Sequence, residues 1–130
     1  MAAIEKRISS GSKFEELAAY SRAVVDDRHI HISGTVGLDP VDKSMPEDAE
    51  AQVRNIFAVI EGVLGGEGAS LADVVRSRVF ITDMAHLESV VRVLGEKFRD
   101  CPPTNTTLIC GIPAPGAKVE IEVTALRPAN

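Results

Sequence analysis

Aromatic side chains are scarce in this 130-residue chain, which has four Phe, one Tyr and no Trp. Val, Ile, Leu and Ala must therefore fill its core, and few rings remain for stacking nucleic-acid bases. Cysteine is scarcer still. Cys101 and Cys110 are the only two, the usage expected of a reduced cytoplasmic protein, and nothing in their context calls for a bridge. Excess positive charge is missing as well: 14 Lys and Arg stand against 19 Asp and Glu, a formal net charge of −5. That balance argues against nucleic acid as a partner, because neutralising phosphates needs a basic face. It offers no attraction to an anionic membrane surface. No apolar run approaches the ~18 residues of a membrane-spanning helix. Residues 1–14, which include Glu5, Lys6, Arg7 and Lys13, lack the apolar stretch of a signal peptide.

What remains is an ordinary globular composition, 45% hydrophobic and 25% charged. Residues 1–130 are read as one domain. A chain of this size buries about two-thirds of its unfolded surface, so one core suffices without disulfide or metal.

The pattern predicts β-β-α-β-α-β-β. Residues 22–32 read as a hairpin: Ala23-Val24-Val25, a turn at Asp26-Asp27-Arg28, then alternating His29, Ile30, His31 and Ile32, with Ser33-Gly34-Thr35 ending the strand. Residues 37–47 form a loop marked by Pro40 and Pro46. Val53, Ile56, Phe57, Ile60, Val63 and Leu64 make one helical stripe, preceded by Glu47, Asp48 and Glu50 and stopped by Gly65-Gly66. Ser70 and Asp73 have the spacing of a capping pair over the turn 71–74.

Residues 75–82 alternate, with Val75, Ser77, Val79 and Ile81 on one face and Arg76, Arg78, Phe80 and Thr82 on the other. A second helix carries Leu87, Val90, Val91, Leu94 and Phe98, with Asp83 as its N-cap. Strands at 105–112 and 118–126 complete the chain; the last sets Val119, Ile121, Val123 and Ala125 against Lys118, Glu120, Glu122 and Thr124. The fold class is α+β. Two amphipathic helices cover one sheet face, leaving a face with Arg76, Arg78, Glu120 and Glu122 open to water or to another subunit.

Few residues announce chemistry. Gly66-x-Gly68 follows a helix rather than a strand, so it reads as a helix cap and not a phosphate loop. His29-x-His31 has a spacing that metal sites use, but its third ligand would come from afar, from His86, Glu120 or Glu122. Exposed or interface histidines and no metal are the expectation. Glu120 and Glu122 lie about 6.5–7 Å apart on one strand face. They suit an acid/base pair, or ion-pair partners for Arg76 and Arg78.

Several segments resemble the reactive intermediate deaminase family (Rid, also called YjgF or endoribonuclease L-PSP). They are Ala19-Tyr20-Ser21-Arg22-Ala23-Val24, Ile32-Ser33-Gly34-Thr35, Leu38-Asp39-Pro40 and Ala51-Gln52-Val53-Arg54-Asn55-Ile56. Residues 68–75, 79–84 and 118–122 are similar in the same order. The resemblance implies a chorismate-mutase-like domain, a homotrimer with ligand clefts between subunits, and no cofactor. It implies hydrolysis of reactive enamines and imines, such as 2-aminoacrylate, to 2-keto acids and ammonia. The family's water-positioning glutamate falls on Glu120, its pocket tyrosine on Tyr20 and its Ser-Gly turn on Ser33-Gly34. Its carboxylate-clamping arginine falls on Asn105, beside Thr106, which lacks the charge and the planar fork. Arg22 and Arg78 are the candidates to stand in for it.

The expected function is binding of a small imine or enamine metabolite at intersubunit clefts, with hydrolytic deamination as its catalytic form. Asn105 sets it apart from standard 2-iminoacid deamination. The alternative is a non-catalytic binding or interaction module. Ribonuclease or translation-inhibitor activity, attached to the family by name, is disfavoured by the charge.

Overall fold

In the computed structural model, which describes residues 3–129, six strands and three helices follow in the order β1 (Lys6–Ile8), α1 (Lys13–Ala18), β2 (Ala23–Val25), β3 (His29–Val36), α2 (Ala49–Gly66), β4 (Val74–Ile81), α3 (Leu87–Phe98), β5 (Thr104–Ile109) and β6 (Val119–Leu126). Met1, Ala2 and Asn130 lie outside the described residues. The strands form one sheet in the order β1-β2-β3-β6-β4-β5, antiparallel except for the parallel β4–β5 pair. The α+β architecture is as expected, with one correction: β1 and α1 precede the hairpin. Neither has a periodic signature. β1 is a three-residue strand placed by pairing Lys6 with Val25 and Ile8 with Ala23. α1 buries only Glu15; it starts where Ser12 accepts from the Phe14 and Glu15 N–H groups and ends at Ala19, whose φ is 58°.

The stripe of α2 is buried along Val53, Ile56, Phe57, Ile60 and Leu64, against strand residues such as Ile30, Val79 and Ile121. Asp48 caps its first turn by accepting from the Ala51 N–H. The left-handed residue after it is Gly68 (φ 75°) rather than Gly65 or Gly66. Ala69 N–H bonds back to Leu64 O at 2.8 Å, closing the end. In α3, Val90, Val93 and Phe98 are buried while Val91 is 53% exposed, correcting the expected stripe. Val93 and Leu94 flank the line through Val90, whereas Val91 lies about 100° off it. Phe98 meets Phe57 edge to face at 5.5 Å. Asp83 caps the single turn Met84–His86 that leads into α3, not α3 itself.

Two bulges re-aim the strands. β6 alternates as expected, but β4 shifts register between Val74 and Arg76, leaving Val75 40% exposed and Val74 buried. In β3 the register shifts between Ile32 and Thr35. Ser33-Gly34 therefore bulges the strand instead of ending it, and pairing resumes through Val36.

One buried side chain joins the loop before α2 to the approach to β6. The Gln52 amide Nε2 donates to Pro46 O (2.7 Å) and Gly116 O (3.0 Å), and its Oε1 accepts from Lys118 N–H (2.8 Å). Gly37 lies so close that a Cβ there would stand 2.5 Å from Gln52 Cα. A side chain at position 37 would strike backbone, so glycine is required at this approach.

Candidate functional site

Alternation in β6 puts Glu120 on the face opposite the helices, between buried Val119 and Ile121. Across the β3–β6 pair the bulge brings Gly34 against it: a Cβ on Gly34 would lie 3.0 Å from Glu120 Cδ and Oε2. Arg22, just before β2, completes the group. Its Nη2 donates to Ser33 O at 2.7 Å and Gly34 O at 2.8 Å, and Ser33 Oγ donates to Ser21 O at 2.7 Å. Arg22 Nε is buried and finds no hydrogen-bond partner among the described residues. Burial pushes the Glu120 carboxyl above its ordinary value; the Arg22 charge pulls it back and the Glu122 charge pushes the same way as burial. A carboxyl so held passes a proton in both directions nearer neutral pH than an exposed glutamate does.

Glu122 has a different partner. Its Oε1 lies 2.6 Å from Arg78 Nε, so of the two stand-in arginines Arg78 is committed to Glu122 and Arg22 adjoins Glu120. Beyond them a shallow concavity runs over His31, Ser33, Arg76, Arg78, Glu122 and Thr124.

Asn105 stands apart within the protomer. It pairs with Ser77 in the parallel β4–β5 ladder, and Ser77 Oγ, on the helix side of the sheet, donates to Asn105 Oδ1 at 2.8 Å. Asn105 Nδ2 donates to Thr107 Oγ1 at 2.9 Å. Thr106 pairs with Arg78 and by alternation faces the open side. β4 separates β5 from β6, so one chain does not bring Asn105 to Glu120. Tyr20, 39% exposed, follows α1 and lies two residues before Arg22.

The hairpin holds a group that the spacing alone did not disclose. Asp26, in the β2–β3 turn, lies 3.1 Å from His31 Nε2 and 3.4 Å from His29 Nδ1. The neighbour of the two histidines is thus Asp26 and not His86, Glu120 or Glu122. The signal was present as Asp-x-x-His-x-His across a two-residue turn. Cys101 and Cys110 are both free thiols.

The sequence matches the family described as Endoribonuclease L-PSP over residues 10–127. The chain belongs to that family. Among curated relatives, Protein DfrA of Myxococcus xanthus is 32% identical over 93% of this chain and 95% of its own length. A RutC family protein of Leuconostoc mesenteroides subsp. cremoris is 28% identical over 95% and 98%. Among solved structures, Rv2704 of Mycobacterium tuberculosis, a member of the YjgF/YER057c/UK114 family, superposes with a TM-score of 0.83 at 37% identity, covering 93% of this chain and 98% of that one. RidA from the Antarctic bacterium Psychrobacter sp. PAMC 21119 gives 0.81 at 26% identity, covering 95% and 97%. Among the described residues of this L-PSP family chain, no helix is long and apolar enough to cross a membrane.

Proposed function

We propose that this L-PSP family member binds a small imine or enamine at a site built around Arg22 and Glu120, and hydrolyses it to a carbonyl compound and ammonia. The observation that carries the reading is the contact of the Glu120 carboxyl with the bulge at Gly34, beside the Arg22 guanidinium. An enamine first tautomerises to the imine; Glu120 then takes a proton from water as its oxygen adds to the carbon of the protonated imine, and returns that proton to the amine nitrogen. As the C–N bond breaks and ammonia leaves, the carbinol O–H gives its own proton to Glu120, so that a C=O bond remains. Arg22 Nη2 is tied to two carbonyl oxygens and Nε is buried, which leaves Nη1 to attract a ligand carboxylate. Its place beside Glu120 supports it as the replacement for the charge that Asn105 lacks.

The active form is a homotrimer in the cytoplasm, with Tyr20, Asn105 and Thr106 lining clefts shared between subunits. Two features support an assembly. Every residue of the edge strand β5 is exposed, including Leu108 and Ile109, and the open sheet face carries charged residues around a concavity. A sedimenting species of about 42 kDa, three copies of the 13.9 kDa chain, is expected.

The test is release of ammonia and 2-keto acid from 2-aminoacrylate generated in situ. Turnover that disappears in Glu120→Ala supports the proposal. Silence in the parent with turnover gained in Asn105→Arg means that the site serves a ligand without a carboxylate. Silence in both leaves the non-catalytic binding module, which the ties of Arg22 to backbone oxygens also suit.

A further inference from the structure

We propose that the β2–β3 hairpin is a binding site for a borderline transition-metal dication of the Zn2+ class, with Asp26, His29 and His31 as its ligands. The expectation of no metal rested on the lack of a third ligand near His29 and His31, and the turn supplies one. One donor atom from each of the three residues falls within a sphere of contact in which all lie within 4.8 Å of one another. Metal–ligand bonds of about 2.0–2.2 Å at tetrahedral angles set donor atoms roughly 3.3–3.5 Å apart. The 3.1 Å from Asp26 Oδ2 to His31 Nε2 is close to that spacing, and His29 Nδ1 lies 3.4 Å from the other oxygen of the same carboxylate, Oδ1.

The ligands are also held in place. Asp26 Oδ1 accepts from the Arg28 N–H at 2.8 Å and the His29 N–H at 2.7 Å, which fixes the carboxylate plane and leaves Oδ2 free of backbone partners. His29 and His31 project from the same side of β3, with ring centroids 5.5 Å apart. Arg127 donates to the Asp26 carbonyl at 3.2 Å and is itself paired with Glu5. Two imidazoles and one carboxylate prefer Zn2+, Co2+, Ni2+ or Cu2+ over Mg2+ and Ca2+. All three side chains reach solvent, at 24%, 38% and 49% exposure, so an ion enters without backbone movement and keeps positions open for water. None of the three ligands belongs to the Arg22–Glu120 group, although His31 lines the same concavity as Ser33, and the proposal stands or falls without that group.

The experiment is calorimetric titration of the chelator-treated full chain with ZnCl2, repeated with MgCl2. One Zn2+ per chain and no Mg2+ heat are expected. His31→Ala and His29→Ala each weaken Zn2+ by roughly tenfold or more, the scale of losing even an outer contact to a metal, and the double variant abolishes binding. His86→Ala, which removes the remaining histidine, leaves binding intact. Metal-free melting curves of the histidine variants, whose rings are partly exposed, match the parent and show that they fold. Absence of Zn2+ binding in the parent, or binding that survives the double variant, overturns the proposal.

Discussion

Gly34 and Glu120 touch across two neighbouring strands, and the carboxylate occupies space that any side chain at position 34 would claim. The obstacle is the end of a flexible side chain rather than backbone. Gly34→Ala should therefore keep the fold and move the carboxylate. The carboxylate must give by a few tenths of an ångström, so a fall of roughly several-fold in imine hydrolysis, below the ~100-fold of a full ångström's misplacement, is expected alongside a melting temperature near the parent's. Undiminished turnover would detach the bulge from the chemistry.

Glu120→Gln separates stability from activity. Because burial raises its carboxyl in the folded state, the folded chain holds that proton more tightly than the unfolded one. The stabilisation this brings is complete in acid and lost as pH rises through the folded value, so at pH 7 the ionised group is a cost. The amide removes the cost. Glu120→Gln should melt higher than the parent at pH 7, converge with it below the ordinary glutamate range, and hydrolyse nothing. Melting at or below the parent at pH 7 would reverse the sign.

Arg22→Met removes a cation that favours ionised Glu120 and strands the Ser33 and Gly34 carbonyl oxygens. Charged hydrogen bonds of this kind are worth about 1.5–3 kcal/mol, so denaturant unfolding should register a loss of that order. With the cation gone, the Glu120 carboxyl rises further. The acid limb of any residual pH–rate profile should move to higher pH. A limb that stays put would mean that Arg22 does not act on Glu120.

Gln52→Leu preserves size and deletes three hydrogen bonds in a fully buried setting. The orphaned Lys118 N–H and the two carbonyl oxygens make this a destabilisation of about 2–4 kcal/mol, readable in urea. A loss under 1 kcal/mol would show that water replaces the amide.

The regular parts of the fold were legible because burial imposes a period. The stripe through Ile56 and Ile60 and the alternation from Val119 to Ala125 reappear in the structure. Val75 was not placed correctly, since one inserted residue at a bulge inverts every facing assignment on one side of it. β1 and α1 were invisible because pairing with β2 and a Ser12 cap, rather than any amphipathic pattern, hold them. Site residues fared unevenly for a related reason. Glu120 and Ser33-Gly34 face each other across a ladder whose register no local signal encodes, and Asp26 meets the histidines through a turn geometry. Gln52 lies in a segment that resembles the family, Ala51-Gln52-Val53, yet only the folded loops reveal what its amide holds.

The strand at the middle of the sheet is the last one the chain provides. β6 lies between β3 and β4, so the ribbon β1-β2-β3 and the unit β4-α3-β5 share no strand contact until residues 119–126 exist. During synthesis the two halves must wait, each with an unpaired border facing the other. Such late, long-range closure slows folding and exposes strand borders to foreign pairing. A ribosome-bound chain truncated before Val119 should thus be protease-sensitive throughout, and protection should arrive in one step when the keystone is made.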